Sequence, residues 1–305
     1  MSFLRTRAKA TAETVLLSAG AAHLSRRLRS GQTLVLAYHN IVPAGERPGG
    51  DRSLHLPVAR FTAQLDLLTR HHDVVPLDHL FTPAAGPRPR AAVTFDDAYA
   101  GTLHAGIPEL VRRGLPGTIF VCPAFLGGRT FWWDALTRPD HDGPAPALRR
   151  HALGPLAGRD AEIRPWAAKH GFPEYRVSDH ARCATEADLR AALGHPGITL
   201  GSHSWSHANV AELEGAALDE ELTRPRAWLT EHLGATADWL AYPYGYHNPR
   251  AEEAARRAGY RGALALHAGW IGSTPAQPFA LPRLNVPAGV SANGFALRIS
   301  GLITR

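Results

Sequence analysis

Short apolar runs and helix-patterned stretches exchange regularly along this chain, and that exchange restricts its fold more than any other feature. Runs at 33–38 (TLVLAY), 91–95 (AAVTF), 118–122 (TIFVC), 198–200, 239–242 and 263–266 read as buried strands. A shorter extended piece lies at 74–77, and a last strand is expected at 281–286. Between them, 58–70 places Phe61, Leu65 and Leu68 on one helical face. A helix after residue 95 stops at Gly114, where a glycine suits a helix C-terminus, and further helices are expected near 216–232 and 249–258. Strands alternating with helices predict parallel β/α units, closed into a barrel or spread as an open sheet, so the fold class is α/β. No internal repeat is visible. From 127 to 196 the pattern weakens into Pro, Gly, Arg and His, which predicts a long, partly helical insertion rather than a second core.

At 305 residues, 45% hydrophobic and 20% charged, the chain has the composition of a folded protein and the length of a single α/β barrel. The net charge of +6 is concentrated at one end. Arg5, Arg7, Lys9, Arg26, Arg27 and Arg29 stand against Glu13 alone in the first 30 residues. The remainder is nearly neutral and has no nucleic-acid motif, so nucleic acid is excluded as a partner. Cys122 and Cys183 form neither a disulfide framework nor a Cys-x-x-Cys zinc pattern, and Cys122 is expected in the core. The apolar stretch at 15–22 falls far short of the ~20 residues of a membrane span. Leu17, Ala21, Leu24 and Leu28 instead form a helical stripe flanked by arginines, so residues 1–30 are expected to be a basic amphipathic helix. Such a helix either packs on the domain or rests on an anionic membrane surface. A cytoplasmic location follows, at the inner face of the membrane if the helix binds lipid, with secretion the less favoured alternative.

Four segments place polar groups where strands end, the usual position of function in α/β architectures. Asp96 and Asp97 close the 91–95 strand, where one carboxylate can bind a cation while the other acts as a base. An Asp-Asp pair also serves as a solvated turn or helix cap. His203 and His207 follow the 198–200 strand at i and i+4, a metal-ligand spacing on one face of a helical turn. With Asp97 they supply two imidazoles and a carboxylate, leaving coordination positions for water and substrate. Non-haem iron oxygenases use a similar triad, and that alternative stays open at this point. A hydrolase would use Asp96 as the base toward water. Tyr242-Pro243-Tyr244-Gly245 fixes a turn that could aim an N–H at a developing oxyanion. His39, after the first strand, is by itself more readily structural.

Together Thr94-Phe95-Asp96-Asp97, the His-Ser-x-x-His run at 203–207 and Pro243-Tyr244 resemble the motifs of the polysaccharide deacetylase family, carbohydrate esterase family 4, over about 33–286. Two departures stand out. The family's third motif carries a base-orienting arginine that is absent at 240–243, and its C-terminal Leu-x-Leu-His motif has only an echo at 265–267. Tyr38-His39-Asn40-Ile41 is instead similar to the Tyr-His-x-Ile segment of the circularly permuted poly-N-acetylglucosamine deacetylase branch, where this histidine is the catalytic acid.

The resemblance implies a distorted (β/α) barrel of the polysaccharide deacetylase type, with residues 31–305 as the catalytic domain and the insertion after the fourth strand region. It implies a divalent metal, zinc first with Co, Ni, Mn or Fe open, on Asp97, His203 and His207. Asp96 would be the base, His39 the acid with His267 as its alternative, and the Tyr244 N–H an oxyanion donor beside Pro243 and Tyr242. Arg283 would replace the missing arginine, and Trp132, Trp133, Trp205, Tyr242 and Tyr244 would offer aromatic faces to the sugar. The implied reaction is N-deacetylation of an N-acetylated carbohydrate. An esterase or other amidohydrolase of the same fold, or a non-catalytic carbohydrate-binding relative, are the alternatives.

Overall fold

A computed structural model describes Glu13 and residues 20–84 and 86–303. Its centre is one parallel sheet. The strands are β1 (Thr33–Tyr38), β4 (Asp73–Val74), β5 (Arg90–Phe95), β6 (Gly117–Val121), β7 (Ile198–Ser202), β8 (Trp239–Ala241), β9 (Gly262–Leu264) and β10 (Leu284–Asn285). A small separate pair joins β2 (Asn40–Val42) to β3 (His55–Pro57). The sheet runs β10-β1-β5-β6-β7-β8-β9, with β4 beside β5. Residues 281–285 bring its two edges together. The Leu281 N–H donates to Ala263 O at 2.9 Å and the Val286 N–H to Ala37 O at 3.0 Å, while Leu284 pairs with Leu36. The sheet therefore curls into the distorted barrel that the alternating pattern and the family resemblance together predict.

The continuous apolar runs are the sequence signature of strands covered on both faces. Every residue of β1, β5 and β6 is buried. Helix α2 (Val58–His71) buries the predicted Phe61, Leu65 and Leu68, and the Phe61 ring meets Tyr38 edge-on at 5.1 Å. Helix α3 (Ile107–Arg112) is shorter than the helix expected between residue 95 and Gly114, because Thr102–Gly106 forms a wide π-helical turn before it. The last apolar run yields only two strand residues, since 281–283 are engaged in closing the sheet.

The stretch between β6 and β7 holds α4 (Trp132–Ala135), α5 (Pro146–Leu153), α6 (Asp160–Lys169) and α7 (Glu186–Leu193). Its Trp132, Trp133, Leu148 and Ile163 join the same apolar cluster as the barrel. Helix α7 packs on β7 and is the crossover that a parallel connection needs. The barrel is completed by α8 (Gly215–Leu233) and α9 (Pro249–Arg257), and α10 (Ala292–Ser300) lies against α1 (Ala21–Leu28).

Leu17 of the N-terminal stripe lies outside the described residues. Helix α1 does pack, but through Ala22 and a Ser25 hydroxyl that donates to Ser300 O at 2.7 Å. Leu24 and Leu28 face outward, so the packed side is offset from the stripe read in the sequence. Both cysteines are buried and free. Among the described residues no helix is long and apolar enough to cross a membrane.

Candidate active site

Three loops at the C-terminal ends of β5, β7 and β8 converge, and their backbones are unusual. Six non-glycine residues among those described have φ in the left-handed region, and five lie here: Asp97, Ala98, Ser204, His207 and Tyr244. Each such residue costs about 1–3 kcal/mol and persists only where its surroundings enforce it, a pattern typical of functional sites. Beneath the β7 loop, Gly201 has no alternative, because a Cβ there would lie 2.5 Å from the Phe120 ring.

Asp97 itself adopts the left-handed conformation, with φ 70°. Asp97 Oδ1 lies 3.2 Å from His207 Nε2 and 3.7 Å from His203 Nε2, and the three ligand atoms all fall within 4.8 Å of one another. Ligands at ~2.1 Å from one cation at tetrahedral angles stand roughly 3.4 Å apart, so the spacing fits. The donor set fits as well. Asp97 Oδ1 is buried without a hydrogen-bond partner, and the His203 Nδ1–H donates to Ala241 O at 2.7 Å, which leaves the Nε2 lone pair facing the cluster. Burial pushes the His203 pKa down to about 4, outweighing the nearby carboxylates, so the imidazole stays neutral. Burial opposes ionisation of Asp97, yet the His207 contact holds its carboxyl below the ordinary value. Rings of Trp133 (4.7 Å) and Tyr244 (4.5 Å) pack on His207.

His203 and His207 do not sit on a helical turn, as their spacing suggests. They belong to an irregular loop in which the His203 N–H donates to Val121 O at 2.9 Å, the His207 N–H to the Ser204 hydroxyl at 3.0 Å, and the residues between them are held by one carboxylate. Glu221 of α8 accepts from the N–H groups of Trp205 (3.0 Å) and Ser206 (2.9 Å) and from the Ser206 hydroxyl. These bonds satisfy the loop backbone, which a helix would otherwise have to do. Nothing in the motif spacing marks Glu221.

Asp96 lies beside this cluster, its Oδ2 3.9 Å from His203 Nε2. Arg283 meets it bidentately, Nη1 to Oδ1 at 2.7 Å and Nη2 to Oδ2 at 2.9 Å, and both side chains are buried. The residue suggested by the sequence as a substitute for the missing arginine thus reaches the carboxylate from the closing segment of the barrel. Burial works to raise the Asp96 pKa, but Arg283, with His203 and His39 behind it, holds it well below the ordinary carboxylate range. His39 Nε2 stands 4.0 Å from Asp96 Oδ2. An acid facing the metal from the side opposite Asp96 is the sequence expectation; the structure puts His39 beside the carboxylate. Its carbonyl accepts from the Thr102 hydroxyl at 2.5 Å, so the π-helical turn fixes the loop that carries it.

His39, Asp96, Asp97, His203, His207, Trp132, Trp133 and Tyr244 all line one cavity of about 310 Å³. The Trp132 Nε1–H donates to the Tyr244 hydroxyl at 3.1 Å. Other candidates are placed elsewhere. Tyr242 is fully buried, with its hydroxyl donating to Phe279 O, and Pro243 is buried behind the cavity wall. Trp205 lies under Arg224, 3.7 Å from ring centre to guanidinium carbon. His267 borders a different cavity with Pro287 and Arg298. Asp51, Arg149, Tyr246 and Asn285 are among the lining residues that sequence analysis did not single out. Asp51 and Tyr246 come from loops and Arg149 from the insertion, where no periodicity flags them, and Asn285 is the exposed residue of β10.

Comparison with known proteins agrees with this geometry. The family model for polysaccharide deacetylase matches residues 84–263, more than half of the chain. A chitin deacetylase from Pestalotiopsis sp is 32% identical over 84 residues, 28% of this chain and 26% of that protein's length. Among solved structures, the Streptococcus pyogenes deacetylase PplD in complex with acetate is 14% identical with a TM-score of 0.60, covering 90% of this chain and 98% of that one. IcaB from Ammonifex degensii is 19% identical with a TM-score of 0.59, covering 90% and 97%. At these identities the two structures speak to the fold alone, and they share the barrel described above. The matched span carries the β5 and β7 loops with both carboxylates and both histidines, and the chain belongs to the polysaccharide deacetylase family.

Proposed function

We propose that this chain is a metal-dependent hydrolase that removes the acetyl group from an N-acetylated carbohydrate. One observation carries the reading: an ionised carboxylate, clamped by a buried arginine, stands directly beside a separate Asp-His-His cluster and within 4.0 Å of a third histidine. A divalent metal, zinc first, held by Asp97, His203 and His207 would supply Lewis acidity toward the acetyl carbonyl and acidify a water. Asp96 accepts the proton of the attacking water, and Arg283 keeps that carboxylate oriented and free of protons at neutral pH. His39, bearing a proton, delivers it to the nitrogen as the C–N bond breaks, so that the products are acetate and the free amine. The left-handed turn at Tyr244 sets its backbone beside the acetyl group, where an N–H can share the oxyanion charge. The Trp132, Trp133 and Tyr244 rings narrow the cavity and exclude bulk water.

The test couples metal analysis of the purified protein to acetate release across N-acetylated sugars and O-acetyl esters. Free amine and acetate appearing in equal amounts, dependent on bound metal, is the expected result. Acetate from esters with no amine from any amide would make the chain an esterase, and sugar binding without turnover would make it a binding protein.

A further inference from the structure

Asn40 follows His39 directly in the chain, opens β2 and has no part in the chemistry set out above. Its side chain is nevertheless fully buried, with Nδ2 at 2.8 Å from His55 Nδ1 and at 2.9 Å from His180 Nδ1. The far side of each ring fixes where the protons are. His55 Nε2 faces the Asp134 carboxylate at 2.9 Å, and His180 Nε2 faces the Arg47 carbonyl at 3.1 Å, so each Nε2 carries the hydrogen. Each Nδ1 is then an acceptor, and the Asn40 amide donates one hydrogen to either ring.

This clamp joins β2, β3 and the insertion, which supplies both His180 and Asp134. Besides His55, the Asp134 carboxylate accepts from the Tyr99 hydroxyl at 2.8 Å and from the Asp51 N–H at 2.9 Å. The Tyr99 hydroxyl accepts in turn from the Trp133 Nε1–H at 2.9 Å, so the chain of bonds ends at the indole that packs on His207. Asn40, His55, Tyr99, Trp133, Asp134 and His180 are all buried. A buried network whose donors are all paired is rigid and specifies one arrangement.

His39 sits where such rigidity matters. Among the described residues its ring forms no hydrogen bond, with Asp96 Oδ2 4.0 Å away, so its aim depends on the backbone that carries it. That backbone is fixed from three sides. Tyr38 before it is buried in β1, Asn40 after it is clamped, and the Thr102 hydroxyl donates to its carbonyl. Gly101, beside Thr102, comes so close to Asn40 Oδ1 and Ile41 O that a Cβ there would overlap both.

We propose that Asn40 is a positioning residue for proton delivery: held between His55 and His180, it fixes the turn from β1 to β2 so that the His39 ring stays aimed into the cavity beside Asp96. The insertion, through His180 and Asp134, thereby sets the aim of the acid. This rests on the function proposed above and adds to it the device that aligns its proton donor.

The experiment follows Asn40→Ala on an amide, the β-linked N-acetylglucosamine pentasaccharide, and on an ester, para-nitrophenyl acetate, whose leaving group departs without a proton. A misplacement of about 1 Å can cost about 100-fold, so kcat on the amide falls about 100-fold while KM and metal content are retained and the ester loses far less. His180→Phe keeps the ring volume, removes one of the two bonds and shows the same split at smaller size, whether or not Asn40→Ala folds. A double-mutant cycle with His39→Ala separates positioning from general loosening. Once the imidazole is gone, Asn40→Ala costs nothing further on the amide. Equal losses on amide and ester, or an undiminished loss in the His39→Ala background, overturns the proposal. A wild type that deacetylates no N-acetylated sugar counts against the proposed function alone. The clamp is then judged by NMR of isotope-labelled histidine, with one sharp set of His39 ring signals expected in wild type and broadened or multiple signals in Asn40→Ala; one sharp set in both overturns it.

Discussion

Replacing Arg283 by Met is the perturbation that most directly separates the chemistry of this site from its architecture. The substitution nearly preserves side-chain volume but removes both bonds to Asp96. With charge centres about 4 Å apart and an effective dielectric near 20, the lost attraction is about 4 kcal/mol. Breaking one side of a buried pair typically costs about 3–5 kcal/mol of stability, so the melting temperature falls on the order of 10 °C. The sign with pH follows from the direction of the Asp96 shift. A carboxylate depressed in the folded state stabilises it above the ordinary aspartate pKa, and that stabilisation fades as pH falls toward the folded value. The stability gap between wild type and variant is thus full at neutral pH and shrinks in acid. Catalysis moves in a matching way. Without Arg283, burial is opposed only by the neighbouring histidines, so Asp96 takes up its proton at higher pH and the acid limb of kcat/KM shifts upward. Calorimetry across pH and a pH–rate profile read the two effects, with metal content as the control. An acid limb that coincides with that of wild type would refute the idea that Arg283 governs the protonation of the base.

Asp96→Asn removes the base and spares Asp97, His203 and His207, so metal content stays while kcat falls ~10²–10⁴-fold; near-normal turnover would eliminate Asp96 as base. His39→Ala is expected to keep metal and lose most amide turnover, while an ester with a good leaving group, which needs less protonation, retains more; equal losses on both would deny His39 the acid role. Glu221→Gln leaves the loop N–H groups imperfectly paired and should weaken metal binding about 10–100-fold in a chelator competition, with the far-UV spectrum retained; unchanged affinity would show that the loop holds itself.

The legible parts of this molecule were those governed by a period or a motif. Strands β1, β5, β6 and β7 show as uninterrupted apolar runs because they are covered on both faces, and α2 shows because Phe61, Leu65 and Leu68 repeat with the helix. Asp97, His203 and His207, which the structure brings together, stand out in the sequence because carboxylates and imidazoles cluster just after strands. What stayed hidden was decided by contacts distant along the chain. Glu221 acts on a loop 15 residues earlier through a hydrogen bond that no pattern encodes. Asp51 and Arg149 are 98 positions apart and meet only because the insertion folds back over the barrel. The irregular conformation of 203–207 is set by that Glu221 carboxylate and by left-handed Ser204 and His207, so the two histidines come together without the helical turn that their i, i+4 spacing implies.

The seam formed by residues 281–285 gives this protein an order of assembly. Arg283 arrives on the stretch that joins β9 to β1, the first strand of the barrel to leave the ribosome. Until that stretch is made, a nascent chain can already hold both carboxylates and both histidines of its motifs, yet Asp96 has no guanidinium to keep it ionised as it is buried. The seam thus closes the barrel and pairs Asp96 with Arg283 in one step. A chain cut short before residue 281 would hold Asp97, His203 and His207 together with Asp96, yet leave Asp96 without its guanidinium partner.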